Sequence, residues 1–545
     1  MVTIASIVFD ALNKASRYSL ELVESLQVAL DTSKKAVLHE SRAPIVGIRG
    51  PPGTGKTKIM EGAINDNDII YNIQSNNLKF IYIAPTNELT RSGFERALVP
   101  VMRMFGGSAG ELVDALRRVR VYGSAIPPPY LGQDLEKLSR YYPEIDKETW
   151  KKILRDIVYG GIDNDVLFIF TTDYQRASAR SRSSHKFLMF VDEASKSPFY
   201  LPFNPVSDSE LKGLAMGHRS GVIHGLVVVG DDRQAIALGP EYQGYGKTLL
   251  VLPKIEEVLQ DLDLDEQFKT LTTTFRLPSP TEEPIGEGFY GDVGGLQAYE
   301  MALVRLRRKL GGLDLSERFS KCKNIMGNYL WDVTIELLEQ AIGDLNKPQP
   351  IIIANTSDEI PGGQQFEPCR VKLSVYFALA LRCLSSDLGI SVIAPYRELV
   401  DSARYYFRRL TRDTRIDASN VRFLTVQSML GGEDDVVISM LGKEWTSREE
   451  STIYFREPEN LNVQLSRHRL MLIVIGNATR LRSAAAKEAQ LRGMSGDFAS
   501  EVSRIRITLN TMLELAGVEI SQKRPSGPEK SIGEGAVFRK VNCSV

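Results

Sequence analysis

Ten short runs of apolar residues, largely uninterrupted by polar positions, recur along the chain and predict buried β-strands. They cover residues 44–48, 79–84, 166–171, 187–191, 225–230, 350–354, 390–394, 421–426, 435–440 and 470–475. Continuous apolar runs are typical of strands in a parallel sheet that is covered on both faces. The segments between the runs are long enough for crossover helices. The pattern therefore predicts an α/β protein built on parallel sheets.

Five runs in each half of the chain predict two α/β domains of similar build, with a boundary near residues 265–275. The predicted organisation is a first domain over 1–265, a second domain over 266–490, and a C-terminal helix with a mobile tail over 491–545. Helical insertions are predicted at about 104–163 and 284–345. Such insertions are candidate binding sites for protein partners.

The composition excludes several classes of protein. Lys and Arg number 67 against 68 Asp and Glu, so the net charge is −1 and any nucleic-acid site must be a local basic groove. No stretch reaches the roughly 18 apolar residues that a membrane span needs, so no membrane association is predicted. The first residues include Asp10 and Lys14 and make a poor signal peptide.

The four cysteines are scattered and form no CxxC pair. They are Cys322, Cys369, Cys383 and Cys543. Neither a disulfide framework nor a structural zinc module is predicted from this spacing. A soluble protein of a reducing, intracellular compartment, cytoplasmic or nuclear, is the resulting expectation.

The clearest chemical motif is the segment GPPGTGKT at residues 50–57, which fits the phosphate-loop pattern GxxxxGK[ST]. It follows a predicted strand and precedes a predicted helix, as that motif requires. The residues predicted to hold a nucleotide are Gly50, Gly53, Thr54, Gly55, Lys56 and Thr57. The glycines let backbone N–H groups surround phosphate oxygens, Lys56 reaches the β- and γ-phosphates, and Thr57 binds Mg²⁺. The alternative is an incidental Gly-Pro turn.

A phosphate loop needs an acid at the end of a second strand, and Asp192-Glu193 follows the run at 187–191. Asp192 is predicted to bind the metal, and Glu193 to orient or deprotonate the attacking water. Taken alone, two acids at a strand end are often only solvated. Their pairing with the phosphate loop favours the catalytic interpretation.

Further segments occur in the order found in one group of enzymes. They are IAPTNE (83–88), FTTDY (170–174), VDEAS (191–195), VVGDDRQ (228–234), LTTTFR (271–276), LTVQSMLGGEDDVVIS (424–439) and LNVQLSRHR (461–469). Together with residues 50–57 they resemble motifs I to VI of superfamily 1 helicases. The resemblance is strongest to the branch that holds the nonsense-mediated-decay helicase, senataxin-like proteins and RecD-type enzymes. It spans roughly residues 20–480 and implies two tandem RecA-like P-loop domains.

The resemblance assigns roles in ATP binding and hydrolysis to six further positions, which are Gln234, Arg276, Arg467, Phe275, Glu433 and Gln27. Gln234 would sense the γ-phosphate, while Arg276 and Arg467 would act as arginine fingers from the second domain. A planar guanidinium suits the charge that spreads over the phosphoryl oxygens. Phe275 would stack on adenine, and Glu433 would lie near the ribose and phosphates. Gln27 would recognise the adenine. The alternative for Gln27 is a solvated position on a helix.

The resemblance also implies a groove for a single strand of RNA or DNA. The positions that would line it are Pro85, Thr86, Asn87, Thr171, Thr172 and Thr425. Hydroxyls, amides and backbone N–H groups there contact phosphates without reading the base sequence. The alternative for each threonine is strand-end capping.

Two basic clusters extend the candidate nucleic-acid surface. One covers residues 176–186, and the other includes Arg404, Arg408 and Arg412, which share one helix face and are interleaved with Tyr405. Arginine with aromatic residues suits a backbone track with base stacking. The alternative is a solvated helix face.

Two positions depart from the family pattern, since Leu430 replaces a motif V glutamine and His468 replaces the usual motif VI alanine. Neither removes a catalytic charge. The leading hypothesis is an ATP- and Mg²⁺-dependent 5′–3′ helicase that hydrolyses ATP in the cleft between its two domains. The second hypothesis is a nucleotide-gated nucleic-acid clamp that recruits partners with little unwinding. A kinase or transport ATPase is disfavoured by the motifs of the second domain.

Overall fold

The structure is a computed structural model, and most of the chain can be described in it. The described residues are 3–9, 44–64, 73–74, 78–104, 109–123, 127–172, 186–196, 208–218, 223–234, 250–357, 360, 364–414, 416–417, 419–429, 432–444, 452–491, 496–518 and 535–542. The chain forms two compact units. Unit 1 comprises residues 1–50, 55–232 and 238–271, and unit 2 comprises residues 51–54, 233–237 and 272–545.

Unit 1 contains a parallel sheet of seven described strands in the order β3-β4-β2-β5-β6-β1-β7. The strands are β1 (Ile45–Arg49), β2 (Leu78–Ala84), β3 (Val119–Val121), β4 (Phe168–Thr172), β5 (Lys186–Val191), β6 (Ile223–Gly230) and β7 (Phe268–Thr270). One strand, β6, separates β1 from β5, so the strand before the phosphate loop and the strand before Asp192 flank the same neighbour. The carboxyl ends of both strands therefore lie at the same edge of the sheet.

The described helices of unit 1 connect these strands and cover both faces of the sheet. They are α1 (Lys56–Ile64), α2 (Asn87–Met104), α3 (Ala109–Arg117), α4 (Gly132–Tyr141), α5 (Lys147–Tyr159), α6 (Asp208–Ala215) and α7 (Val251–Gln260). Alternate residues of one strand enter different cores: Phe80 and Tyr82 of β2 face one cluster, and Ile81 and Ile83 face the other. A strand buried on both faces has no polar alternation, which explains the continuous apolar runs.

Unit 2 contains a parallel sheet of six described strands in the order β12-β11-β13-β14-β10-β15, together with a two-stranded pair, β8-β9. The strands are β8 (Thr273–Thr274), β9 (Gln297–Ala298), β10 (Ile351–Thr356), β11 (Ile390–Ala394), β12 (Val421–Thr425), β13 (Asp434–Met440), β14 (His468–Ile475) and β15 (Ala536–Val541). The predicted fold class, α/β with parallel sheets in two units, is confirmed.

The described helices of unit 2 are α8 (Glu283–Tyr290), α9 (Ala302–Leu310), α10 (Leu315–Lys323), α11 (Tyr329–Ile342), α12 (Pro368–Leu384), α13 (Arg397–Thr414), α14 (Ile453–Arg456), α15 (Glu459–Leu465), α16 (Ala478–Leu491) and α17 (Gly496–Leu515). Helix α12 is buried over most of its length and begins where the Glu367 carboxylate accepts hydrogen bonds from the backbone N–H groups of Cys369 and Arg370. Capping by a side-chain oxygen satisfies donors that a helix start leaves open.

Each of the ten apolar runs forms a strand, with ends that differ from the predicted ones by at most two residues. The strands that sequence patterning missed are short or lie at the chain end: β3, β7, β8, β9 and β15. The expected mobile tail is wrong for residues 536–541, because β15 pairs in parallel with β10 along its whole length. Val537 and Val541 of β15 are buried against the helices of unit 2.

The expectation that the cysteines form no disulfide is also wrong. Cys322 at the end of α10 and Cys383 at the end of α12 are disulfide-bonded, with 6.1 Å between their Cα atoms. They are 61 residues apart in sequence, and the packing of α10 against α12 brings them together. Tertiary packing of this kind leaves no signal in cysteine spacing.

Among the described residues, no helix is long and apolar enough to span a membrane.

The buried position of β15 predicts that its inward side chains stabilise unit 2. Val541→Asp places a carboxylate where the side chain is 1% exposed. We expect the free energy of unfolding to fall by about 2 kcal/mol or more, because a buried carboxylate loses its hydration. Lys540→Asp, at an exposed position of the same strand, is the matched control. Urea denaturation measures both variants. Equal stability of the two would contradict the placement of β15 in the sheet.

Candidate functional site

The loop between β1 and α1 has the backbone shape that the glycines of the motif predict. Gly53 and Gly55 adopt left-handed φ angles of 73° and 82°, which residues with a Cβ atom avoid. The Gly50 N–H donates to the carbonyl oxygen of Gly230 at the end of β6, at 2.8 Å. The Lys56 ammonium donates to the Gly50 carbonyl at 2.5 Å and so lies folded back over its own loop.

Loop residues 51–54 pack against the segment that carries Arg276, and both belong to unit 2. The Phe275 N–H donates to the Gly53 carbonyl at 2.9 Å, and the Thr274 hydroxyl donates to the Pro52 carbonyl at 2.8 Å. A Cβ atom at Gly53 would lie only 2.2 Å from the Cβ of Arg276. Glycine is therefore required at position 53 for two reasons, its φ angle and this close approach.

The Asp192 carboxylate is buried directly after β5. It accepts hydrogen bonds from the Tyr82 hydroxyl at 2.8 Å and from the Glu193 backbone N–H at 2.8 Å. Burial and the neighbouring Glu193 charge raise the pKa of Asp192, while the hydrogen bonds and the charge of Lys56 oppose that rise. A cation beside Asp192 would therefore be stabilised by a carboxylate that has lost most of its water.

Glu193 begins a tight turn that is held against β6. Its φ of 49° is left-handed, which is uncommon for a residue with a side chain and often marks a functional site. The Ala194 N–H donates to the Val229 carbonyl, and the Ser195 hydroxyl accepts from the Asp231 N–H at 3.0 Å. Glu193 forms an ion pair with Lys196 at 2.8 Å.

The donors around this turn fit Mg²⁺, a hard cation that prefers oxygen ligands and keeps several waters. A buried carboxylate at Asp192 and a half-buried hydroxyl at Thr57 are the two protein oxygens that would hold it. Among the described residues, no cluster of three or more His, Cys, Asp or Glu side chains offers an all-protein cage. A two-oxygen site suits a metal that is bound mainly by phosphates and water.

Gln234 and Arg467, which lie 233 positions apart in sequence, meet within unit 2. The Arg467 guanidinium donates to the Gln234 side-chain carbonyl at 2.5 Å, and both side chains are buried. The preceding residue anchors Gln234: Arg233 is ion-paired with Asp292, and its carbonyl accepts from Asn462 at 2.6 Å. The structure thus brings together two residues to which the resemblance assigns γ-phosphate roles.

A second cluster of unit 2 holds Arg276. Its Nε donates to the Glu433 carboxylate at 2.6 Å, and its Nη1 donates to the Ser466 carbonyl at 3.4 Å. Arg469 is ion-paired with the other Glu433 oxygen. Burial opposes ionisation of Glu433, but Arg276 and Arg469 lower its pKa to about 2. Arg276 is therefore oriented by a carboxylate that stays charged at any physiological pH.

Arg305 on α9 is a site residue that the motifs do not contain. Its guanidinium donates to the backbone carbonyls of Arg276 at 2.5 Å, of Phe275 at 2.8 Å and of Arg469 at 3.1 Å. Glu300 holds it from the other side at 3.0 Å. One side chain thus fixes the backbone on both sides of the Arg276–Glu433 pair. An arginine in a predicted insertion gives no sequence signal for such a role.

Two aromatic side chains and a buried histidine complete this part of unit 2. The rings of Phe275 and Tyr299 lie 4.9 Å apart, and Tyr299 is 64% exposed. An exposed aromatic pair can stack on a planar base. His468 is fully buried, its Nε2 is 2.7 Å from the Thr281 hydroxyl, and burial with the charges of Arg276 and Arg305 lowers its pKa to about 3. The departure from the family alanine therefore adds a neutral side chain.

The candidate nucleic-acid residues of unit 1 lie at two neighbouring strand ends. Thr86 is exposed after β2 and accepts the Leu89 N–H at 3.3 Å, as a capping residue does, and Asn87 begins α2. Thr171 and Thr172 are buried within β4. Pro85 is half-buried. In unit 2, the half-buried Thr425 ends β12, and its hydroxyl lies 2.9 Å from that of Ser428. Gln27, Leu430 and residues 176–185 lie outside the described residues.

Comparison with known protein families matches residues 371–479, from α12 to the start of α16, to a family described as an AAA domain. This segment contains the candidate residues Thr425, Glu433 and Arg467. The match covers only this part of unit 2. None of the curated proteins matches the chain.

Solved structures of two helicases resemble the chain weakly. A crystal structure of the DUF1998 helicase MrfA bound to DNA and AMPPNP aligns with 10% identity and a TM-score of 0.35, over 85% of this chain and 52% of that one. The Hef helicase domain of Pyrococcus furiosus aligns with 13% identity and a TM-score of 0.30, over 84% of this chain and 97% of that one. The chain thus spans about half the length of MrfA.

The contacts of Arg305 predict that it positions Arg276 for ATP turnover. Arg305→Ala removes donors from three carbonyls, so we expect kcat to fall about tenfold to a hundredfold with little change in ATP binding, because small misplacements of a catalytic group are costly. Arg305→Lys should restore part of the rate, since an ammonium replaces some of the donors. Steady-state ATP hydrolysis and nucleotide binding measure this split.

Arg308→Ala is the matched control, because Arg308 is exposed, lies on the same helix and is ion-paired with the same Glu300. Thermal unfolding of all three variants separates misplacement of Arg276 from loss of folding. Turnover by folded Arg305→Ala equal to that of Arg308→Ala would show that Arg305 has no positioning role.

Proposed function

We propose that the chain is an ATP-dependent nucleic-acid helicase or translocase of the superfamily 1 type. It would move 5′ to 3′ along single-stranded RNA or DNA and use Mg²⁺-bound ATP. The observation that carries the proposal is the contact between Arg467 and Gln234, because the two motifs assigned to γ-phosphate sensing meet through a direct hydrogen bond. The phosphate loop and the AAA-domain match over residues 371–479 support the same interpretation.

In the proposed reaction, the phosphate loop and the acids after β5 bind and hydrolyse ATP. Backbone N–H groups of residues 50–57 and the Lys56 ammonium bind the phosphates, and Glu193 accepts a proton from the attacking water. When ATP binds, Lys56 exchanges the Gly50 carbonyl for phosphate oxygens, which are stronger partners because they are charged. Thr57 and Asp192 would hold Mg²⁺, which would supply charge to neutralise the phosphates.

Arg276 and Arg467 are the proposed arginine fingers. Each is now paired within unit 2, Arg276 with the Glu433 carboxylate and Arg467 with the neutral Gln234 amide. A guanidinium that is already desolvated and oriented needs little reorganisation to stabilise charge on a transferring phosphoryl group. We propose that Phe275, with the exposed Tyr299 beside it, stacks on the adenine.

Movement along a nucleic-acid strand requires that the affinity for the strand changes with the nucleotide state. We propose that Gln234 couples the nucleotide state to nucleic-acid binding. Its side chain binds Arg467, and it closely follows Gly230, the last residue of β6, whose carbonyl accepts a hydrogen bond from the phosphate loop. Pro85, Thr86, Asn87 and Thr425 are the proposed strand contacts. Thr171 and Thr172, being buried, would contact a strand only through their backbone or after rearrangement.

ATP hydrolysis that depends on Lys56 and Glu193 and is stimulated by single strands tests the proposal. Lys56→Ala should abolish turnover, because the only ammonium of the phosphate loop is lost. Glu193→Gln should bind ATP normally but hydrolyse it at least about a hundredfold more slowly, because an amide is no base. The measurement is steady-state phosphate release with and without single-stranded RNA and DNA of matched sequence.

Lys58→Ala changes a half-buried lysine two residues further along α1. It is the control for Lys56→Ala and should hydrolyse ATP like the wild type. Normal turnover by Glu193→Gln would assign water activation to another residue. ATP hydrolysis that is stimulated by neither RNA nor DNA would contradict the proposed translocase activity.

A further inference from the structure

Helix α13 is anchored in unit 2 along one face. Its buried side chains Leu399, Ala403 and Phe407 enter the core beside the sheet. Arg404 donates to the Phe423 carbonyl of β12 at 2.8 Å, and the rings of Phe407 and Phe423 lie 5.2 Å apart. The helix therefore packs on β12, the strand at one edge of the described sheet.

The opposite face of α13 carries four exposed side chains at helical spacing, Tyr405, Arg408, Arg409 and Arg412, which we call the α13 stripe. Tyr405 is 71% exposed. Positions three and four apart on a helix are neighbours, so the tyrosine and the three guanidinium groups form one surface about 10 Å long.

The three arginines of the stripe differ from the other arginines of α13. Arg397 and Arg404 are each ion-paired with Asp401. Among the described residues, neither an ion pair nor a side-chain hydrogen bond is formed by Arg408, Arg409 or Arg412. Three adjacent cations that form no ion pair among the described residues repel one another, and an anionic partner would relieve that repulsion.

A comparison within unit 2 shows that this arrangement is not a general property of its basic helices. Helix α9 also carries a run of cations, yet each is held by the protein. Arg307 donates to the Leu345 carbonyl at 3.1 Å, Arg308 is ion-paired with Glu300, and Lys309 is ion-paired with Asp435. The run on α9 is structural, whereas the α13 stripe is open to a ligand.

The topology shows where the stripe lies along β12. Helix α13 begins directly after β11 and leads to the parallel strand β12, so it runs antiparallel to both. The helix start is therefore near the sheet edge at which Thr425 ends β12, and the stripe lies about 12 to 22 Å further along the helix, toward the opposite edge. A single strand that contacts Thr425 would reach the stripe only by continuing along the α13 side of β12.

We propose that the α13 stripe binds the backbone of single-stranded nucleic acid, with Arg408, Arg409 and Arg412 on phosphates and Tyr405 stacked on a base. Guanidinium groups with an interleaved aromatic are what a sequence-tolerant single-strand surface needs. The class of partner rests on the proposed function, but the surface is separate from the nucleotide-binding residues.

The test is equilibrium binding of a labelled single-stranded oligonucleotide to the full chain, without nucleotide, over a series of salt concentrations. The variant Arg408→Ala/Arg409→Ala/Arg412→Ala should flatten the slope of log K against log salt by about 2, because each lost phosphate contact contributes about 0.7. Tyr405→Ala should weaken binding about tenfold while leaving the slope unchanged, since stacking releases no counterion.

The control is Lys137→Ala/Arg140→Ala/Lys147→Ala, which removes the same charge from exposed positions of unit 1 and should keep the wild-type slope within experimental error. Circular dichroism confirms that each variant is folded. A slope and affinity of the α13 variant equal to those of the control would overturn the proposal. Tighter binding of polyglutamate than of the oligonucleotide, with no effect of Tyr405→Ala, would also overturn it in favour of an acidic protein partner.

The same data separate this proposal from the proposed function. If single strands stimulate ATP hydrolysis by the wild type but the α13 variant binds them like the control, the role of the stripe is rejected and the helicase proposal stands. A reduced salt slope in the α13 variant, with hydrolysis indifferent to nucleic acid, supports the stripe and rejects the helicase proposal. Wild-type protein that binds no single strand at any salt concentration rejects both.

Discussion

The close packing of Gly53 against Arg276 is the constraint on which the candidate site depends. Because residue 53 has no side chain, the Phe275 backbone N–H and the Thr274 hydroxyl can both donate hydrogen bonds to the phosphate loop. That contact fixes the start of the segment that carries Phe275 and Arg276. Arg305 donates hydrogen bonds to backbone carbonyls of the same segment, and Glu433 orients the Arg276 guanidinium. A methyl group at position 53 would displace this segment, because its carbon would lie only 2.2 Å from the Arg276 Cβ.

Hydrogen bonds from neighbouring side chains orient the buried charged groups of the site. Asp192 is buried beside Glu193, and the hydroxyl of Tyr82 supports it without neutralising it. Arg467 is buried against a neutral amide. Charged groups in such surroundings interact strongly with a ligand of opposite charge, because little water remains to be displaced. By contrast, the pair Arg370–Glu444 is fully buried and mutually compensated in the core of unit 2, where it links α12 to the end of β13. That pair is structural.

Much of the fold could be predicted from the sequence because strands buried on both faces need continuous apolar residues, and all ten such runs form strands. The phosphate loop and the acid pair could be predicted for a related reason, since their chemistry depends on residues adjacent in sequence. What sequence reasoning missed depends on packing between distant segments. β15 is a strand only because β10 offers it an edge, and Cys322 meets Cys383 only because two helices pack. Arg305 acts through three backbone carbonyls that no side-chain pattern reveals. The roles assigned to the site residues in nucleotide and nucleic-acid binding, including those of Gln27, Thr171 and Thr172, stay predictions.

The central claim is that hydrolysis in this site drives the protein along a strand, and strand displacement tests it most directly. Two duplexes of the same sequence, one with a 5′ single-stranded overhang and one with a 3′ overhang, are incubated with Mg²⁺ and ATP, and the displaced strand is measured over time. The account predicts release from the 5′ overhang by the wild type and none by Glu193→Gln. Release from the 3′ overhang alone would reverse the proposed polarity. Rapid ATP hydrolysis with no displacement from either duplex would contradict the central claim and identify a nucleotide-gated clamp.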